Sequence, residues 1–190
     1  MSENKYKHPC MVRAKKIPHF RVSMSRCLPT NEEACVINQC IRESAKEDDR
    51  AVAKQKCLAK IGYSKIGSGT SRDVYEKGQC VLKLDHMGGH NNQQEIRISE
   101  KAPEELRDKI VPVVAYSDFY SWLIMPKAKT EKNMSGKEID HVADQLDKKL
   151  LEVNLKCTDF TLSNVGKLEN KPVIIDYGWG ITCCRSGKNL

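Results

Sequence analysis

The sequence predicts an α+β protein: a helical N-terminal extension, an antiparallel β-sheet lobe, and a reduced, mainly helical second lobe. Three observations predict it. Residues 30–60 space their apolar side chains as helices do and open with a capping box. From Tyr63 to Asp85 apolar and polar residues alternate between glycine turns. Residues 135–153 return to helical spacing. The boundaries fall at 1–62, 63–128 and 129–190.

Residues 1–29 read as irregular and basic, punctuated by Pro9, Pro18 and Pro29. Thr30 with Glu33 starts a helix that puts Val36, Ile37, Cys40 and Ile41 on one face. A second helix runs from about Asp49 to Lys60 and stops at Gly62. Three strands follow, the last two meeting at a Lys77–Gly78 turn. Asn91–Lys101 reads as a helix and "APEELRDK" as a further helical turn. "IVPVVAYSD" and "SWLIMPKA" form a strand pair around Asp118–Tyr120. Ser135 and Glu138 make a second capping box, before a helix with Ile139, Val142, Leu146, Leu150 and Val153 inward. A loop, a turn near "LENK" and the strand "PVIID" complete the pattern.

Composition narrows the function classes. With 39% hydrophobic and 30% charged residues the chain can bury a core, so wholesale disorder is excluded. No apolar run approaches membrane-spanning length and the N-terminus lacks a secretory h-region, so a cytoplasmic protein without membrane contact is expected. The net charge of +7 is local. Residues 1–60 hold 13 Lys/Arg against 7 Asp/Glu, and the remainder is nearly balanced. Such an arm could meet nucleic acid or an acidic protein surface, and a solvated arm is the simpler reading. The nine cysteines include no C-x-x-C pair. Reduced thiols packed as small hydrophobes are therefore expected, ahead of a metal site.

One residue interrupts the apolar logic. Lys83 stands inside the strand "VLKL", where an unpaired ammonium is costly if buried. Around it lie separate weak signals. Gly67-Ser68-Gly69 precedes it at a strand turn, with Val74 on the next strand. Glu95 follows twelve residues later on a helix, with Glu100 as a competing partner. Asp159 and Asn164 stand five apart after a long helix, and Asp176 opens "DYG" after an apolar strand. Each alone is an ordinary feature: a solvent-facing lysine, a loop Asx turn, a surface carboxylate. Together, in this order, they match a glycine loop, a third-strand lysine, a helix glutamate, a catalytic-loop Asp and Asn, and an Asp-x-Gly.

On these residues, and on "GSGTSRDVY", "EKAPEELRDK", "WLIMPKA" and "NKPVIIDYGW", the chain resembles short protein-kinase-like phosphotransferases of bacteriophages and bacteria, over about Tyr63–Gly180. The resemblance implies ATP and Mg²⁺ as cofactors. Gly67, Ser68, Gly69 and Val74 would cover the nucleotide. Lys83, held by Glu95, would meet the α- and β-phosphates, and the hinge backbone near Met125–Ala128, with Met125 and Lys127 as contacts, would hold adenine. Opposite charges 4 Å apart attract by about 4 kcal/mol at an effective dielectric near 20, enough to orient the lysine. Asn164 and Asp176 would supply hard oxygen ligands to magnesium, and Asp159 would accept the proton of an attacking hydroxyl.

The pattern departs from the family in three places. Arg72 replaces the third glycine of the loop, where it stiffens the turn or reaches a phosphate. Cys157 and Thr158 replace the His and Arg before the catalytic Asp, and Thr161 stands where a lysine is common. Only twelve residues follow Gly178, so the peptide-binding platform is expected to be missing or supplied by the N-terminal helices or a partner. The implied activity is phosphorylation of Ser/Thr hydroxyls on a protein, such as a host target. The alternatives are a pseudokinase-type regulator that acts by binding a partner, and transfer of a nucleotidyl group.

Overall fold

The computed structural model describes residues 15–16, 22–86, 88–152, 154–157, 161–178 and 181–183. Asp159, Trp179 and Cys184 lie outside the described residues.

The N-terminal third opens with a two-residue strand, β1 (Lys15–Lys16), and a 3-10 turn over Val22–Cys27. Helix α1 (Asn31–Ser44) begins where the capping box predicts: the Glu33 N–H donates to Thr30 Oγ1 at 3.1 Å. Helix α2 (Arg50–Ala59) is capped by Asp49, whose Oδ1 accepts from the Val52 N–H. Gly62 ends this hairpin at φ +87°, a left-handed geometry that glycine adopts freely.

Then come β2 (Ser64–Ser68), β3 (Arg72–Lys77), β4 (Cys80–Asp85), α3 (His90–Lys101) and the short α4 (Glu104–Arg107). Strands β5 (Ala115–Tyr116) and β6 (Trp122–Pro126) complete a six-stranded sheet in the order β1-β5-β6-β4-β3-β2, with every pairing antiparallel. The expected strand at 110–118 is shorter than its apolar run, because Lys109 and Val111, flanking Ile110, bond instead to Ile174 of β9 (Lys171–Ile174). The arm was read as irregular, and a two-residue strand carries no periodicity to read. The unpaired edge of β5 recruits it.

The sheet is buried on both faces. Tyr75, Leu82, Leu84, Trp122 and Ile124 pack with Ile37, Cys40 and Leu58 of the N-terminal helices. The Trp122 indole N–H reaches Asn38 Oδ1 of α1 at 3.0 Å. On the other face Val81, Leu123 and Met125 pack with Ile96 of α3. The N-terminal extension therefore shares a core with the sheet.

Disulfides reinforce that join and overturn the expectation of reduced thiols. Cys27 is bridged to Cys80 at the start of β4, and Cys40 to Cys57 between α1 and α2; Cys35 is also disulfide-bonded. The partners stand 53 and 17 residues apart, so tertiary packing brings them together rather than any local spacing.

The second lobe is built on α5 (Gly136–Glu152), which buries Ile139, Val142, Leu146 and Leu150 against Ile98, Leu106 and the hairpin of β8 (Val165–Leu168) with β9. Glu169 and Asn170 turn that hairpin with φ of 51° and 65°, the positive values a two-residue type I′ turn needs. A second ribbon pairs β7 (Leu155–Cys157) with β10 (Ile181–Cys183), regions the sequence presented as loop and tail. The lobes meet where Lys129 and Lys167 exchange backbone hydrogen bonds of 2.8 Å. Gly166 allows that approach, since a Cβ there would stand 2.3 Å from the Lys129 carbonyl oxygen. Among the described residues no helix is long and apolar enough to cross a membrane.

Candidate functional site

Sheet register lines up the first part of the site. Gly67 pairs with Val74, Val74 with Lys83, and Lys83 with Leu123. Residues directly opposite across strands share a face, so this row runs along the side that α3 covers. Helix α3 is anchored there by its first turn. The N–H groups of Asn91 and Asn92 donate to Asp85 Oδ2 at 3.0 and 3.3 Å, placing a carboxylate at the positive end of the helix. The Asn92 amide reaches the Tyr120 carbonyl at 2.9 Å. Glu95 lies three residues on, on the same side of the helix, and is thereby held under β4.

Lys83 is 5% exposed and Glu95 wholly buried. The ammonium lies 2.8 Å from Glu95 Oε1 and 3.1 Å from Oε2, and 2.8 Å from the Ile175 carbonyl oxygen. Those contacts account for its three protons. Glu100 is engaged elsewhere, accepting from the Tyr116 hydroxyl at 2.7 Å. Lys83 thus joins the sheet, α3 and the end of β9 in one buried contact set.

Arg72, expected to stiffen the turn or reach a phosphate, meets carboxylates of the protein itself. It is 6% exposed and sits between two carboxylates. Its Nη1 donates to Glu95 Oε2 at 2.6 Å and its Nη2 to Asp176 Oδ1. The Tyr177 N–H adds a 3.1 Å bond to Glu95 Oε1, and the Gly178 N–H a 3.3 Å bond to Asp176 Oδ1. Burial pushes the Asp176 carboxyl up, but Lys83 and Arg72 outweigh it and hold its pKa below the ordinary value. For Arg72, burial works against the charge, and Glu95 and Asp176 more than restore it. Arg72 and Asp73 are adjacent charges at the start of β3, and the structure buries both.

Asp73 fixes the glycine turn from the other side. It is 2% exposed and accepts from Ser68 Oγ at 2.7 Å, with Lys65 at 2.7 Å and both Lys54 and His86 at 3.3 Å. The Gly69 N–H closes the turn onto the Arg72 carbonyl at 2.8 Å. Burial raises the Asp73 carboxyl. The hydrogen bonds from Lys65 and Ser68, with the His86 and Lys54 charges, bring it down to about 2. A folded value below the unfolded one contributes stability that is full above about pH 4 and fades as the pH falls toward 2. Asp73→Asn is therefore expected to cost about 1–2 kcal/mol at neutral pH and about a third of that near pH 2.5, in urea melts at the two pH values.

Asn164 and Asp176 are brought to one end of the β8–β9 hairpin. The Ile175 N–H donates to the Asn164 carbonyl at 2.8 Å, and Asp176 is the next residue. Asp176 Oδ1 is occupied by Arg72 and Gly178, while Oδ2 accepts no hydrogen bond among the described residues. A half-buried carboxylate oxygen next to an asparagine suits a magnesium ion that takes its other ligands from phosphate and water.

At the hinge, Met125 is buried against Val81. The Lys127 N–H is spent on the Gln79 carbonyl at 2.8 Å and its ammonium pairs with Glu76. The Lys129 N–H is spent on Lys167, and Pro126 has none. The Ala128 N–H is the hinge donor without a partner among the described residues. Lys127 instead borders a cleft of about 380 Å³ with Arg26, Gln79, Lys129 and Lys167, which none of the Lys83 cluster lines.

No family model matches the chain, and no curated protein does. Among solved structures, it is similar to WbdD, a bifunctional kinase–methyltransferase, at 16% identity and a TM-score of 0.49, over 63% of this chain and 32% of that one. It is also similar to the PknI kinase domain of Mycobacterium tuberculosis at 16% identity and a TM-score of 0.40, over 62% of this chain and 58% of that one. The chain thus spans about a third of WbdD and under two thirds of the PknI domain.

Proposed function

We propose that this protein is a protein-kinase-like phosphotransferase that uses ATP and Mg²⁺ to phosphorylate Ser/Thr hydroxyls on a protein. The observation that carries the reading is the buried Lys83–Glu95 pair, whose ammonium also touches the residue before Asp176. A lysine and a metal-binding carboxylate on opposite lobes of one site are what a nucleotide triphosphate requires. The resemblance to short phage and bacterial kinase-like proteins belongs to the same proposal.

In this reading Gly67, Ser68, Gly69 and Val74 form the roof over the nucleotide. The adenine contact is best assigned to the Ala128 N–H rather than Lys127, whose own N–H is spent. Lys83 gives up its bond to the Ile175 carbonyl to meet phosphate while Glu95 keeps it oriented. Asp176 and Asn164 would hold magnesium, which supplies charge neutralisation when bound. Asp159 would accept the hydroxyl proton, and an ordinary carboxylate suffices because positioning dominates phosphoryl transfer. Disulfides seldom persist in a reducing compartment, so the two bridges favour a target met where they survive over the cytoplasmic host target that the sequence suggests.

The test is transfer of labelled phosphate from ATP to a lysate. Wild type should label proteins with a phosphate mass, and Asp159→Asn should lower the rate at least ~100-fold, the usual contribution of a general base. Equal labelling by both proteins would sink the reading, and an AMP adduct would make it nucleotidyl transfer. A regulator that acts by binding is favoured by one further observation, the cleft behind the hinge, which Arg26, Lys127, Lys129 and Lys167 line against a single carboxylate, Glu169. Capture of an acidic partner that survives both Lys83→Met and Asp176→Asn would be its signature.

A further inference from the structure

Arg72 stands at the junction of three elements: the glycine turn that its carbonyl closes, α3 through Glu95, and the end of β9 through Asp176. Lys83 and Arg72 share Glu95, and among the described residues Arg72 alone joins that pair to Asp176 by a side-chain bond. The two cations and two carboxylates balance, so the cluster is neutral without a ligand. A second observation shows the space was kept for it. A Cβ at Gly178 would lie 3.2 Å from Arg72 Nη2, 3.4 Å from Nη1 and 3.3 Å from the Asn91 carbonyl oxygen. At those separations the neighbours would have to give way by a few tenths of an ångström, so the glycine of "DYG" leaves the guanidinium room to seat.

We propose that Arg72 is a clasp that holds the nucleotide site assembled before any ligand arrives. It is a positioning residue. It orients Asp176 through Oδ1 and leaves Oδ2 available to a metal, and it keeps Glu95 on Lys83 by bonding Oε2, which the two cations share. Phosphotransferases of this architecture must bring the lysine–glutamate pair and the metal aspartate into place together, and many do so by moving the helix or phosphorylating a loop. A planar guanidinium with donors on both sides can span two carboxylates, which an ammonium cannot do with the same geometry. Here the third-glycine position of the turn supplies that joint permanently. Thr158 stands where a loop-phosphate-binding arginine is expected, consistent with a site that needs no such switch. The proposal rests on the phosphotransferase reading for its purpose, though not for its geometry.

Two measurements test it separately. In ligand-free protein, amide hydrogen exchange at Tyr177, whose N–H is bonded to Glu95, should quicken at least tenfold in Arg72→Ala. Exchange in the β3–β4–β6 ladder should hardly change. In a titration with a fluorescent ATP analogue, Arg72→Ala should weaken binding at least tenfold in the presence of Mg²⁺ and much less in its absence. Arg72→Lys, which retains the charge and guards against a misfolded alanine variant, should fall between. Gly178→Ala, which crowds the guanidinium, should shift both readouts in the same direction by less than Arg72→Ala. Unchanged Tyr177 exchange, or tighter Mg²⁺-dependent binding in Arg72→Ala and Gly178→Ala, would overturn the clasp; the latter would make the arginine an obstruction. If wild type binds no nucleotide while Tyr177 protection still depends on Arg72, the phosphotransferase reading falls and the clasp stands.

Discussion

Reducing the two assigned disulfides is expected to lower the stability of this protein by about 7 kcal/mol, enough to unfold much of it at 37 °C. Closing a loop constrains the unfolded chain, and the gain grows with the logarithm of loop length. The Cys40–Cys57 separation of 17 residues corresponds to ~3 kcal/mol and the Cys27–Cys80 separation of 53 to ~4 kcal/mol. A domain's whole stability is about 5–15 kcal/mol. The bridges hold what the sheet needs: one fixes α1 to α2, and the other ties the 3-10 turn to the strand that carries Lys83. Urea melts of Cys27→Ser/Cys80→Ser and Cys40→Ser/Cys57→Ser measure the two losses, which should rank in the order of loop length, and melts with reductant, which also opens the bridge at Cys35, should lose at least their sum. Coincident melts of oxidised and reduced protein would mean that the bridges do not form.

The elements that were legible in the sequence are those whose signal is local. Thr30 and Glu33, Asp49, Ser135 and Glu138 announce their helices through side chains that cap within one turn. The alternation of Leu82 and Leu84 against Val81 and Lys83 fixed which face of β4 meets which layer. What was not legible depends on distance in sequence. No local rule pairs Cys27 with Cys80, and nothing in Lys15–Lys16 says that it will complete a sheet edge. The site follows the same division. Lys83 and Glu95 are twelve residues apart, and their pairing could be proposed from a strand followed by a helix. Arg72 and Asp176 are 104 apart, and at the third-glycine position a buried arginine reads as a lost glycine until both carboxylates are seen beside it. The hinge shows a subtler limit. Its residues could be found from the apolar strand that leads into it, but which N–H remains for a ligand depends on Gln79 and Lys167, in other hairpins.

Glu95→Ala is expected to be far more damaging than Lys83→Met, although the two side chains face each other. The difference lies in what each truncation leaves behind. Without Lys83, Glu95 keeps Arg72 at 2.6 Å and the Tyr177 N–H at 3.1 Å, so no buried charge is stranded. A methionine of similar length refills the space, and a loss under about 2 kcal/mol is expected. Without Glu95, Lys83 retains only the Ile175 carbonyl and Arg72 only Asp176, and the Tyr177 N–H loses its acceptor. Breaking a buried pair by removing one partner costs about 3–5 kcal/mol, and here two cations lose the same partner, so the upper end applies. Urea melts of the two single variants and the double variant measure this. The double should cost less than the sum, because removing Lys83 relieves one of the cations that Glu95→Ala strands. Equal losses in the single variants would contradict the shared-carboxylate arrangement. The asymmetry also decides how the site should be probed. Lost nucleotide binding in Lys83→Met reads the lysine's contact with phosphate, whereas the same loss in Glu95→Ala reads mainly the collapse of the cluster that holds it.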